Sequence, residues 1–177
     1  MKNLIILILL SFVINVNAEN SKQEDSPPLY TAKLFQHENI YIGPQPQLAD
    51  FETLKSAGFT KVINMRNPDE MDKLNFYEDY LLKKANIEYH LIPIGGEEFK
   101  YTPAKLEEFA QSLESSQGKI LLHCASGHRA SQLWAAYQVK YKGKSPNEAL
   151  EMVKDMGWWP MPMEALLGKK LHVTIAE

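Results

Sequence analysis

The chain has a single cysteine, Cys124, in 177 residues. One thiol excludes an internal disulfide, and no clustered metal-ligand motif is present. Charge of one sign is also lacking: 19 Lys and Arg stand against 22 Asp and Glu, a net charge of −3. That balance excludes a broad basic surface for nucleic acid, and it is too weak to impose disorder. Long hydrophobic runs are absent too, since the apolar stretch Leu4–Val13 is too short for a comfortable membrane span. No internal repeat occurs, so the chain is not a solenoid. What is left is a globular composition long enough to enclose a sizeable core.

The ends of that first apolar stretch carry information. Lys2 and Asn3 precede it, and Val16-Asn17-Ala18 follows as a small-residue cleavage site. Residues 1–18 therefore read as a signal peptide, 19–38 as a flexible leader and 39–177 as the folded domain. The expected destination is export, to a periplasm, with no stable membrane anchor after cleavage. A lone thiol in an oxidising compartment is a liability unless it has a task.

Along the domain, strand and helix patterns alternate. Asn39–Ile42 reads as an edge strand, Gln47–Ala57 as a helix burying Leu48, Phe51 and Leu54, and Lys61–Met65 as a strand ending beside Arg66. A helix is expected over Asp72–Ala85 and a strand over Ile87–Ile94. Thr102-Pro103 opens another helix, with Thr as cap and Pro in the first turn. Ser145-Pro146-Asn147-Glu148 is a capping box. Its helix is expected to end at Gly157, ahead of a bulky break at Trp158–Met163 and a short final helix or tail. The alternation predicts an α/β fold, a central, mostly parallel sheet flanked by helices. Ligands in such sheets bind beyond the carboxyl ends of the strands.

One stretch organises the rest. Lys119–His123 is a short apolar run suited to a buried strand, and apolar residues resume at helical spacing after Ala130. Cys124 to Arg129 must turn tightly between them. The first amides of a helix lack intrahelical partners and carry the positive end of its dipole. Small residues at Ala125, Ser126 and Gly127 let those amides curve around an anion, with His128 beside them. Arg129 adds a planar fork for two oxygens. The same field favours the thiolate of Cys124, a nucleophile aimed at a bound anion.

The segment His123-Cys124-Ala125-Ser126-Gly127-His128-Arg129-Ala130-Ser131-Gln132-Leu133-Trp134 resembles the loop of cysteine-dependent protein tyrosine phosphatases. More narrowly it resembles a bacterial family of phosphatases related to the domain fused to β-lactamase-like hydrolases. The likeness extends through IYIGPQP, GFTKVINMR and IPIGG. It implies a protein tyrosine phosphatase-like fold and metal-independent hydrolysis through a cysteinyl-phosphate, with no cofactor. The implied partner is a phosphorylated protein or small phosphate ester. Cys124 would be the nucleophile, Arg129 and the loop 125–128 the phosphate cradle. His123 would shape the loop from behind and support the thiolate, and Ser131 would donate to the thiolate or aid its departure. Arg66 would lie at the rim. The general acid falls to Glu97, Glu98 or Asp69, or to none. Four residues separate Cys124 from Arg129 where the phosphatase pattern has five. Rhodanese-type sulfurtransferases use that shorter loop, so persulfide chemistry on Cys124 stays open, as does a non-catalytic anion- or phosphoprotein-binding module.

Overall fold

The computed structural model describes residues 30–114, 118–156 and 160–172. Five strands form one sheet: β1 (Phe35–His37), β2 (Ile40–Gly43), β3 (Phe59–Asn64), β4 (Glu88–Leu91) and β5 (Lys119–His123), in the order β1-β2-β5-β3-β4. Only β1 runs antiparallel to its neighbour; the other pairs are parallel. This is the α/β architecture expected, with β5 at the centre. Ile120 and Leu122 feed one face of the sheet and Leu121 the other, and all three are buried. That is why the strand shows a continuous apolar run instead of alternation.

Helices cover both faces. On one side lie α1 (Asp50–Ser56) and α3 (Glu78–Lys84), which bring Phe51, Leu54 and Leu82 against Tyr41, Val62 and Leu121. On the other lie α4 (Pro103–Leu113), α5 (His128–Tyr141), α6 (Pro146–Glu151) and α7 (Pro160–Leu167). They contribute Leu106, Phe109, Leu133, Leu150 and Leu166 to the larger core. A single short turn, α2 (Pro68–Met71), follows β3. Thr102 caps α4 by accepting from the Lys105 amide at 3.3 Å, and Ser145 and Glu148 close the capping box of α6.

Several expectations are corrected. Asn39–Ile42 is not an edge: β2 is interior, because β1 pairs along its outer side. The packed domain consequently begins before Asn39. Tyr30 is buried and its hydroxyl donates to the Pro44 carbonyl at 2.6 Å, while Thr31 donates through both its amide and its hydroxyl to Asp50. So short a strand carries too few residues to show a period. Residues 19–29 of the expected leader, and the signal segment, lie outside the described residues. Leu48 is exposed, since α1 starts only at Asp50. The helix expected over Asp72–Ala85 is broken by an irregular segment and survives as α3. The helix expected to reach Gly157 ends at Glu151, followed by a 3₁₀ turn over Lys154–Met156. The stretch expected as a bulky break contains the start of α7 at Pro160; Trp158 and Trp159 lie outside the described residues.

The strand register fixes where chemistry can gather. Gly43 of β2 and Asn64 of β3 both pair with His123, and Leu91 of β4 pairs with Asn64. The parallel strands therefore end level with one another. The loops that follow them, Pro44–Gln47, Met65–Asn67, Ile92–Gly96 and Cys124–Gly127, open on one edge.

Candidate active site

Cys124 leaves the end of β5 almost fully buried, at 1% exposure, with Ala125, Ser126 and His128 exposed around it. The sulfur thus sits at the base of a ring of loop residues. Gly127 makes the ring possible. Its φ is +95°, and a Cβ there would come within 2.7 Å of Met156 Cε and 3.1 Å of the Gly43 carbonyl oxygen. Only glycine accepts both the left-handed turn and that crowding. The turn delivers the Gly127 amide to Cys124 Sγ at 3.1 Å, a donor that stabilises negative charge on sulfur. The start of α5 follows immediately, so the helix dipole points at the same place.

Arg129 is held in a fixed orientation. Its Nη1 and Nη2 each donate to one carboxylate oxygen of Glu70 at 2.7 Å, and Nη1 also donates to the Ile94 carbonyl at 3.2 Å. A guanidinium has five N–H donors in a rigid plane. Glu70 and Ile94 take three, and the remaining edge, formed by Nε and Nη2, interacts with Cys124, in the geometry that grips two oxygens of a tetrahedral anion. Burial opposes the charge on Arg129, but the Glu70 hydrogen bonds and the charge of Cys124 outweigh it and raise its pKa. Arg129's hydrogen bond, helped by the Asn67 amide and opposed by burial, holds the Glu70 pKa down at about 2.

Behind the loop is a second buried group. His123 and Glu78 are fully buried, with His123 Nε2 3.0 Å from Glu78 Oε1. Glu78 also accepts from Asn64 Nδ2 at 2.7 Å, Gln45 Nε2 at 3.2 Å and the Tyr89 hydroxyl at 3.4 Å. Burial pushes the Glu78 pKa up, and the facing His123 with these donors overcomes it, so that the carboxyl titrates below its ordinary value. The other face of Gln45 accepts from Arg66 Nη1 at 2.8 Å, and Arg66 Nη2 donates to the Glu70 carbonyl oxygen at 3.1 Å. A chain of ion-pair and hydrogen-bond contacts thus links His123 through Glu78, Gln45, Arg66 and Glu70 to Arg129.

The structure brings Cys124, Gly127 and Arg129 together, with His123 directly behind. Arg66 lies beside them, but its nitrogens face Gln45 and Glu70. Ser131 differs from expectation: its hydroxyl donates to the His128 carbonyl at 2.8 Å, so its proton is turned to the backbone. Asp69 is exposed, 3.8 Å from Lys73, and Glu97 is fully exposed, 3.8 Å from Lys100; Glu98 is exposed too. Glu70, Glu78, Gln45 and Asn64 went unrecognised from sequence. The Asn67-Pro68-Asp69-Glu70 pattern is a helix-start signature that places Glu70 in the first turn. Glu78, in the run Tyr77-Glu78-Asp79-Tyr80, carries no such signal. Among the described residues no group of three or more His, Cys, Asp or Glu side chains could hold a metal ion.

Fold and site together have the architecture of a protein tyrosine phosphatase-like domain. Comparison with known proteins agrees: the model of the dual specificity phosphatase catalytic domain matches residues 40–169, and the chain belongs to that family. Its bacterial relatives include the β-lactamase hydrolase-like protein of Agrobacterium fabrum, 32% identical over 100 residues, which cover 55% of this chain and 23% of that protein. The chain thus spans about a quarter of the length of such relatives. Among solved structures, the DUF442 protein of Shewanella putrefaciens superposes with a TM-score of 0.56 at 28% identity, covering 76% of this chain and 88% of that one. PTPMT1 superposes at 0.63 with 22% identity, covering 77% and 92%. These relatives place the chain in a bacterial, cysteine phosphatase-like group.

Proposed function

We propose that the protein hydrolyses phosphate monoesters through a cysteinyl-phosphate formed on Cys124. The observation that carries this reading is the pairing of a buried thiol accepting the Gly127 amide with an arginine that has one edge not engaged by Glu70. The thiolate attacks phosphorus; the loop 125–128 and that edge of Arg129 hold the equatorial oxygens. Charge stabilised there is the main source of rate. Water then cleaves the S–P bond, returning thiolate and phosphate. His123, backed by Glu78, supports the loop from behind. The substrate is a phosphorylated protein or a small phosphate ester, and membership of the dual specificity phosphatase family favours this over persulfide transfer.

The purified protein is expected to hydrolyse p-nitrophenyl phosphate in the presence of a metal chelator, with inhibition by vanadate. Cys124→Ser is expected to remove that turnover. Thiocyanate production from thiosulfate and cyanide, without phosphate release, would establish the sulfurtransferase instead. Residues 1–18 read as a signal segment, which supports export of this activity from the cytoplasm. The exported protein is expected to begin at Glu19 when its N-terminus is sequenced, and a mature chain that keeps Met1 would refute export by cleavage.

A further inference from the structure

The surface carboxylates leave the leaving group without an evident proton donor, and a different side chain stands at the site. Tyr101 lies just ahead of α4, half-buried against the core cluster that contains Cys124. It comes close to the arginine over Gly95. A Cβ built on Gly95 would lie 3.2 Å from Arg129 Cδ and 3.7 Å from the Tyr101 hydroxyl oxygen. Gly95 has φ +102° and carries no side chain, which leaves that space to the phenol and the Arg129 side-chain stem. Among the described residues the Tyr101 hydroxyl has no hydrogen-bond partner, although most half-buried tyrosines find one. Burial raises the Tyr101 pKa, Arg129 pulls it down and Cys124 pushes it up again, so the phenol is electrostatically coupled to both members of the site. Across the working pH range it is a neutral O–H donor.

We propose that Tyr101 is the proton donor to the leaving-group oxygen, in place of a carboxylic acid; this rests on the cysteinyl-phosphate reading above. In the first step the S–P bond forms and the P–O bond to the alcohol breaks. The departing alkoxide takes the phenolic proton, giving a free alcohol, cysteinyl-phosphate and a Tyr101 phenolate beside Arg129. An alkoxide is more basic than a phenolate, so the transfer runs downhill as the bond opens. In the second step water attacks phosphorus and the S–P bond breaks. One water proton returns to Tyr101, and the other stays on the released phosphate. Charge and atoms balance without a metal or another co-reactant. The adjacent guanidinium is the reason a phenolate is tolerable there.

The test compares two aromatic esters of similar size that differ in the basicity of the leaving group. The quantity is kcat/KM, which reports the first chemical step. Tyr101→Phe is expected to lose about ten- to a hundredfold more toward benzyl phosphate than toward p-nitrophenyl phosphate, whose leaving group needs little protonation. Glu97→Gln and Glu98→Gln are expected to show no such difference. An equal loss on both esters would make Tyr101 a wall of the pocket, and the same differential in Glu97→Gln or Glu98→Gln would return the role to a carboxylate; either overturns the proposal. Vanadate inhibition of Tyr101→Phe, expected at wild-type concentrations, checks that the site remains folded. If the wild type shows no Cys124-dependent turnover of either ester, the phosphatase reading itself fails and this proposal with it.

Discussion

Glu70 shows how a residue's environment becomes a measurable property. Its carboxylate holds two nitrogens of Arg129 and titrates at about 2. A carboxyl whose pKa is lowered on folding binds its proton more weakly in the folded chain than in the unfolded one. Its stabilisation is therefore complete above the ordinary value of 4.5 and is lost as pH falls from there toward about 2. Glu70→Gln is expected to flatten the acid limb of a stability-versus-pH curve in that window. Because the substitution also frees Arg129 to rotate, kcat/KM on aryl phosphates should fall about ten- to a hundredfold, the scale of a misplaced binding group. A variant within twofold of wild type would mean that the Arg129 edge is oriented by the Ile94 carbonyl and packing alone.

At the scale of an element, the turn between β5 and α5 decides whether the site exists. Its left-handed residue, Gly127, both bends the chain and supplies the amide that meets the sulfur. Gly127→Ala places a methyl against Met156 and the Gly43 carbonyl and strains φ, so the turn must open. The expected result is loss of vanadate binding and of turnover while far-ultraviolet circular dichroism stays near wild type. Retained vanadate binding would show that the loop tolerates a different path. The turn was readable in advance because its signal is local: an apolar strand, three small residues, an arginine and a helix in consecutive positions. The same locality made the caps at Thr102 and Ser145 legible. Where several short elements adjoin, as between α2 and α3, no single period dominates and the expected helix was too long.

For the whole molecule, the domain boundary matters most. Tyr30 and Thr31 reach back to Pro44 and Asp50, and β1 covers the edge that β2 would otherwise expose. A chain beginning at Asn39 is expected to be less stable than one beginning at Pro27, by on the order of 2–4 kcal/mol for a buried aromatic and its hydrogen bonds. Urea unfolding of the two chains measures this directly, and coincident midpoints would show that Tyr30–Glu38 adds nothing to the fold.

Two kinds of information are separated here by distance along the chain. Within about a turn or a strand, side-chain identity dictates backbone geometry, so the order of residues alone determined the central strand, the tight turn after it and the placement of Cys124 and Arg129 in that turn. The α/β class followed from the alternation of such segments. Which charges face that loop is another matter. Glu70 meets Arg129 across 59 positions, and Glu78 stands 3.0 Å from His123 in a wholly buried pair. Tyr101, just ahead of α4, and Arg129, in the first turn of α5, close over Gly95. Those meetings depend on β2, β3, β4 and β5 ending at one level, a consequence of strand register, and no spacing in the primary structure encodes it.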